Sequence, residues 1–190
     1  MFITDFNYFQ SLLSNSCEIR NDNFILVVGD VTRDDEYVYS ELSDVLLPII
    51  RITRDPKVIE IVEKLINKSR GDLILSGVSF FELANLYNRA NCCIVASKFD
   101  NWQPGGITSI AEALACNGIC ICNAGGEIES EFNFLSESNN IENPLLYFDY
   151  PRKNGLKNKV LRHLQTPSNQ ITVMKNKSKL FSSKALNFNS

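Results

Sequence analysis

The stretch from Cys92 to Glu129 constrains this chain more than any other, because two short apolar runs, two glycine breaks and one helical period follow one another in it without interruption. Cys92 to Ser97 is apolar on both alternating faces, and Pro104-Gly105-Gly106 then breaks the chain. Ile107, Ile110, Ala111, Leu114 and Ala115 recur at helical spacing, and Ile119 to Cys122 is a second continuous apolar run ended by Gly125-Gly126. Runs apolar throughout suit strands covered on both faces. The order predicts two parallel neighbouring strands joined by a helix, with both glycine turns at the carboxyl edge of the sheet. Ligands of open α/β sheets bind at that edge.

The chain on either side repeats the pattern. Phe24 to Gly29 and Pro48 to Thr53 read as strands; acidic residues after Thr32 suit a helix start, and that helix is predicted to run to about Leu46. Asp55-Pro56 opens a second helix with Val58, Ile61, Val62 and Leu65 as its buried stripe. Leu73 to Leu75 is a third strand, after which Ser79 and Glu82 have the spacing of a capping box, and Phe80, Leu83, Ala84 and Tyr87 carry a helix to about Ala90. Beyond Glu129 the residues to Asn143 are polar and asparagine-rich; Leu145 to Tyr150 is a last strand, and Leu156 to Leu164 and Ile171 to Leu180 are helices. The fold class predicted is α/β, a doubly wound parallel sheet in a single domain with a helical C-terminal tail. The divisions are an extension over 1–23, a core over 24–150 and basic helices over 151–190.

With 190 residues, 44% hydrophobic and 22% charged, and a net charge of -3, nothing marks a nucleic-acid binder. No apolar run approaches the roughly 18 residues of a membrane span, and Asp5 sits where a leader peptide is basic, so the expected location is cytoplasmic. Six cysteines lack paired spacing, four of them lie in core strands, and His163 is the one histidine, so no metal site is predicted. Lysines and arginines from Arg152 to Lys184 allow a weak peripheral membrane contact, although a solvated helix face explains them more simply.

The ordered segments GVSFFELANLYNRA, IVAS, PGGITSIAEALAC and NAGGEIE resemble the carboxy-terminal half of retaining glycosyltransferases of family 4 and their glycogen-synthase-like relatives. The resemblance covers about Phe24 to Glu131 and implies a Rossmann-like, donor-binding domain of the GT-B arrangement, with a nucleotide diphosphate sugar as substrate and no cofactor. It implies that Glu112 binds the donor ribose; with Ser109 it also has capping-box spacing and could instead tie down a helix start. It implies that Gly105, Gly106, Ile107 and Thr108 bring backbone amides to the donor, where the alternative is an ordinary tight turn. Gly77 and Val78 match the loop that meets the nucleobase, which stays unnamed. Gly125, Gly126 and Glu127 match a second loop, or a plain strand-to-helix turn.

Three departures qualify what the resemblance implies. The position of a family glutamate near the reacting sugar is Pro104 here, leaving Gln103, or Asp100 upstream, as the groups nearest the chemistry. The arginine and lysine expected after the first strand reduce to Arg33, followed by Asp34, Asp35 and Glu36; Arg33 is a phosphate ligand or, more simply, a solvated or ion-paired surface residue, with Lys98 as a substitute cation. The length leaves no room for an acceptor-binding domain, which a separate N-terminal partner chain, or the rest of a longer coding sequence, would supply. The function implied is sugar transfer to an unknown acceptor by a retaining hexosyltransferase. Two other readings are a non-catalytic module derived from such an enzyme and an unrelated receiver-like domain using Asp30 or Asp34.

Overall fold

Residues 23–30, 32–98 and 106–186 are described by the computed structural model, and within them the apolar runs form one six-stranded parallel sheet. The strands are β1 (Ile25–Val28), β2 (Ile49–Ile52), β3 (Leu73–Leu75), β4 (Cys92–Val95), β5 (Cys120–Asn123) and β6 (Leu146–Phe148), in the spatial order β3-β2-β1-β4-β5-β6. The helices among the described residues are α1 (Asp35–Glu41), α2 (Pro56–Glu63), α3 (Phe80–Arg89), α4 (Ile107–Ala115), α5 (Gly126–Ser138), α6 (Gly155–Leu164) and α7 (Ser168–Ala185). The chain winds outward from β1 to β3 and then outward the other way from β4 to β6. The carboxyl ends of β1 and β4 therefore flank the point where the winding reverses, which is the doubly wound arrangement.

Alternation along the strands builds two cores. Leu26, Val28, Cys93, Val95, Cys120 and Cys122 face α3, α4, α5 and α7, whose Tyr87, Leu114, Phe132 and Phe181 are buried against them. Ile25, Val27, Cys92, Ile94 and Ile121 face the other way, toward Val38 of α1, Val58 and Val62 of α2, and Leu156 and Val160 of α6. The five described cysteines are free and buried, filling strand positions as small apolar groups. Cys17 lies outside the described residues, as does nearly all of the predicted 1–23 extension.

Helix starts follow the local chemistry. Asp55 caps α2 by accepting from the Lys57 amide at 2.8 Å, and Ser79 and Glu82 form the predicted capping box of α3. Three expectations need correction. The first helix ends at Glu41, not near Leu46; beyond it Leu42 O accepts from the Val45 amide at 3.1 Å, and the Arg70 guanidinium takes up the carbonyls of Leu42 and Val45. Ile61 and Phe80 belong to no buried stripe, being 41% and 57% exposed. The polar stretch after Glu129, for which no element was predicted, continues α5 to Ser138, buried through Ile128, Phe132 and Ser136 with Leu135 half-buried.

Two buried polar clusters fix the helices to the sheet. Arg51, fully buried on β2, holds both carboxylate oxygens of Asp35, with Nε at 2.7 Å and Nη2 at 3.1 Å, while its Nη1 donates to Gly29 O and Ile52 O at 2.7 Å. The pair pins the first turn of α1 to the end of β1. Below the opposite edge, Lys175 of α7 is fully buried and donates to Asn88 O at 2.6 Å, so this lysine is no part of a solvated face. His163 of α6 is buried beside it with Nε2 2.9 Å from Asn91 O, which places the ring proton on Nε2 and leaves Nδ1 without a partner among the described residues. Burial lowers the His163 pKa from 6.5; the Asn91 carbonyl opposes this and the Lys175 charge adds to it.

Asp35→Ala should cost about 3 kcal/mol in urea unfolding, because it strands a buried guanidinium. The folded chain resists protonating His163 while the unfolded chain accepts a proton near pH 6.5, so this residue's contribution is present above about pH 6.5 and is lost as the pH falls from there through the folded value. The urea midpoint of the native chain should therefore fall more between pH 7.5 and 5.5 than that of His163→Gln.

Candidate functional site

At the reversal point the chain closes on itself through backbone bonds. The segment after β1 runs antiparallel to the segment after β4, with Asp34 N donating to Ala96 O (2.9 Å), Lys98 N to Thr32 O (3.0 Å) and an Arg33–Ser97 bridge between them. Asn123, at the end of β5, accepts from the Ser97 amide at 3.1 Å. Three strand ends are thereby joined, and Arg33 is set between β1 and β4.

From there the Arg33 side chain folds inward. Its Nε donates to Val28 O (2.9 Å), Nη1 to Thr32 Oγ1 (3.2 Å) and Nη2 to Ser109 Oγ (3.1 Å), and only 3% of the residue is exposed. The guanidinium occupies space that two glycines leave open. A Cβ on Gly29 would stand 2.8 Å from Nη2, and one on Gly106 would stand 3.4 Å from Nη1 and 2.5 Å from Val95 Cγ1. Both glycines also have φ near +130° (+129° and +128°), where a side chain is strained.

The surface reading of Arg33 is therefore overturned. It is neither solvated nor ion-paired: no carboxylate reaches it among the described residues, and burial, followed by the charge of Arg51, lowers its pKa. A guanidinium has five N–H groups. Three have acceptors here, and the other two belong to the nitrogens lying beside Gly106. Gly106 is also the N-cap of α4, with no side chain capping that helix, so Ile107 and Thr108 present first-turn amides beside a buried cation. Both features are positive at one place.

Glu112 is placed differently. The α4 start at Ile107 puts Ser109 in the first turn, engaged with Arg33, and rules out the Ser109–Glu112 capping box. Glu112 stands five residues beyond Ile107, a rise of about 7.5 Å, and its carboxylate accepts from the Tyr87 hydroxyl at 3.2 Å. Tyr87 is fully buried on α3. Burial raises the Glu112 pKa and the bond from Tyr87 opposes it. The structure thus brings Arg33, Gly106, Ile107, Thr108 and Ser109 together and holds Glu112 one to two turns below them.

Gly77 and Val78 follow β3, the far edge strand, about 14 Å from β4 across three strand spacings. Gly77 has φ +72°, and Val78 O accepts from Arg54 Nη2 at 3.3 Å. Asp34 accepts from the Tyr37 amide (3.2 Å) and the Tyr150 hydroxyl (2.6 Å), so it serves as a helix cap and not as the exposed carboxylate of a receiver-like site. Gly125 is the N-cap of α5. Asp100, Gln103, Pro104 and Gly105, and the side chain of Glu127, lie outside the described residues. Among the described residues no cluster of three His, Cys, Asp or Glu side chains is arranged to hold a metal. Residue-by-residue reading gave Ser109 only a helix-cap role and Tyr87 only a core role, and gave Thr32 and Asn123 none at the site; the asparagine closing an apolar strand was the one visible signal.

No family model and no curated protein sequence matches the chain. Solved structures do. AviGT4, a glycosyltransferase involved in avilamycin A biosynthesis, superposes with a TM-score of 0.56 at 9% identity, over 89% of this chain and 51% of its own. An alpha,alpha-trehalose-phosphate synthase (UDP-forming) from Burkholderia vietnamiensis gives 0.58 at 10% identity, over 91% and 42%. A mutant of S. aureus TarM in complex with fondaparinux, alpha-GlcNAc-glycerol and UDP gives 0.60 at 12% identity, over 91% and 36%. The chain spans about half the length of these structures or less. At such identities the likeness is one of architecture: this chain has a Rossmann-like, doubly wound fold that it shares with part of these GT-B structures.

Proposed function

We propose that the chain is the donor-binding domain of a glycosyltransferase, which binds a nucleotide diphosphate sugar and completes its site with a separate acceptor-binding domain. The observation that carries the reading is Arg33, a buried cation without a carboxylate, set beside the uncapped start of α4. An anionic diphosphate is the ligand that such a place lacks. On this reading the α4 amides and the field of Arg33 hold the diphosphate and stabilise the charge that grows on it as the sugar leaves, so donor binding needs no added divalent cation. Glu112, steadied by Tyr87, takes the ribose hydroxyls, and the main chain at Gly77 and Val78 meets the base. Gln103 or Asp100 would stand nearest the sugar. No side-chain nucleophile is invoked, in keeping with a retaining transfer that rests on position and electrostatics.

Pro104, in place of an acidic residue, favours a second reading in which the chain binds the nucleotide sugar without turning it over. Binding with neither transfer nor hydrolysis would select it.

Calorimetric titration in EDTA with UDP, GDP and ADP should show binding of at least one. Arg33→Gln should weaken that nucleotide about 10- to 100-fold, the scale of a charge-assisted contact, while leaving the parent nucleoside unchanged. Arg33→Lys should recover part of the loss, and Glu112→Gln should weaken nucleoside and nucleotide alike by about tenfold. No binding to any of the three would overturn the proposal.

A further inference from the structure

A groove of about 570 Å³ runs between β6 and α6. β6 ends the strand order, so one of its edges pairs with no strand among the described residues. Tyr147, Phe148 and Asp149 are successive residues, yet all three line the groove. Tyr147 and Phe148 are the last two residues of β6 and Asp149 follows it; successive side chains leave a strand on opposite faces, so a groove that meets both Tyr147 and Phe148 does so past the strand's edge. The other wall is Gly155, Asn158, Lys159 and Arg162, one face of α6 at helical spacing. From Gly155 to Arg162 that wall rises about 10 Å, the length of about three extended residues.

The groove is also basic. Arg152 and Lys153 line it where β6 gives way to α6, and Lys159 and Arg162 line it along the helix. Asp149 is its one acid and is already paired with Arg152 at 3.3 Å. Lys153, Lys159 and Arg162 have no ion pair among the described residues. An open strand edge recruits another backbone, whereas a membrane or an anionic glycan makes no use of one.

We propose that this groove binds an acidic, extended segment of a partner protein, which adds to the outer edge of β6 as a further strand and sets its carboxylates against Lys159 and Arg162. The site is independent of the sugar-nucleotide reading: it uses none of those residues, and β6 lies two strand spacings, about 10 Å, from β4.

The test is fluorescence anisotropy with the full chain and a labelled synthetic peptide in which glutamate and valine alternate. Matched probes are a lysine–valine peptide, the acidic peptide N-methylated at alternate backbone amides, a sulfated polysaccharide and vesicles containing phosphatidylserine. The acidic peptide should bind and the basic one should not. N-methylation should weaken binding at least tenfold, as should the double variant Lys159→Glu, Arg162→Glu, whose melting temperature should be unchanged because both residues reach solvent. Hydrogen exchange at the Tyr147 amide should slow on peptide addition. Equal binding of the N-methylated peptide, no binding of the acidic peptide, or tighter competing binding by the polysaccharide or the vesicles would each overturn the proposal.

Discussion

A guanidinium removed from water must be held either by a carboxylate or by dipoles, and the carboxyl edge of this sheet contains one arginine of each kind. Arg51 is fully buried and shares a two-bond grip with Asp35. Arg33, almost as deeply buried, has only the Val28 carbonyl and the hydroxyls of Thr32 and Ser109. Neutral acceptors return less of the hydration that burial removes, and the charge of Arg51 nearby works against Arg33 further. Much else at the edge follows from accommodating that side chain. Glycine stands at 29 and 106 because the guanidinium and Val95 fill the space a Cβ would take. The segments after β1 and β4 are stitched together by backbone bonds that hold Arg33 between them. On the proposed reading, a diphosphate supplies the anion that Arg33 is without among the described residues.

The fold was legible because its signals are local and repeated. Continuous apolar runs marked the strands of a sheet buried on both faces, and Asp55-Pro56 and the Ser79–Glu82 pair marked two helix starts to the residue. Legibility failed where a distant residue decides the outcome. α1 stops early, and the turn that follows it is held by Arg70, some thirty positions away, through the carbonyls of Leu42 and Val45; nothing near Glu41 announces this. α5 was obscured because it rests on the core by only two buried apolar side chains, Ile128 and Phe132, and carries Phe134 into solvent, 63% exposed, so its apolar period is sparse.

The candidate site shows the same division more sharply. That glycines, a helix start and Arg33 belong to one region could be read from spacing and from likeness to a family. Arg33 was nonetheless misjudged, since three acidic neighbours in sequence suggested a surface ion pair. In space Asp34 caps α1, Asp35 is taken by Arg51, and Glu36 is exposed, so none of them reaches the arginine. Neighbours along a turn leading into a helix diverge, and adjacency in sequence says little about which charges meet. The Tyr87–Glu112 bond was likewise invisible, because it joins two helices whose packing depends on the whole layer.

On a chain whose net charge is -3, positive charge gathered in two places carries information, and the two places differ in kind. Arg33 acts from beneath the surface, where little mobile salt can reach it, so its field at the α4 start persists across ionic strength and suits a small ligand held against fixed amides. The cations along α6 stand in or near solvent and are screened over about 8–10 Å at ordinary salt, so they draw and orient an anionic partner more than they hold it. Holding there falls to the open edge of β6, whose backbone groups do not depend on salt. A buried charge and an exposed charge beside an unpaired strand are thus physically different settings, and the ligands proposed for them differ accordingly: a diphosphate held against fixed amides where β1 and β4 end, and an acidic segment added along the open edge of β6.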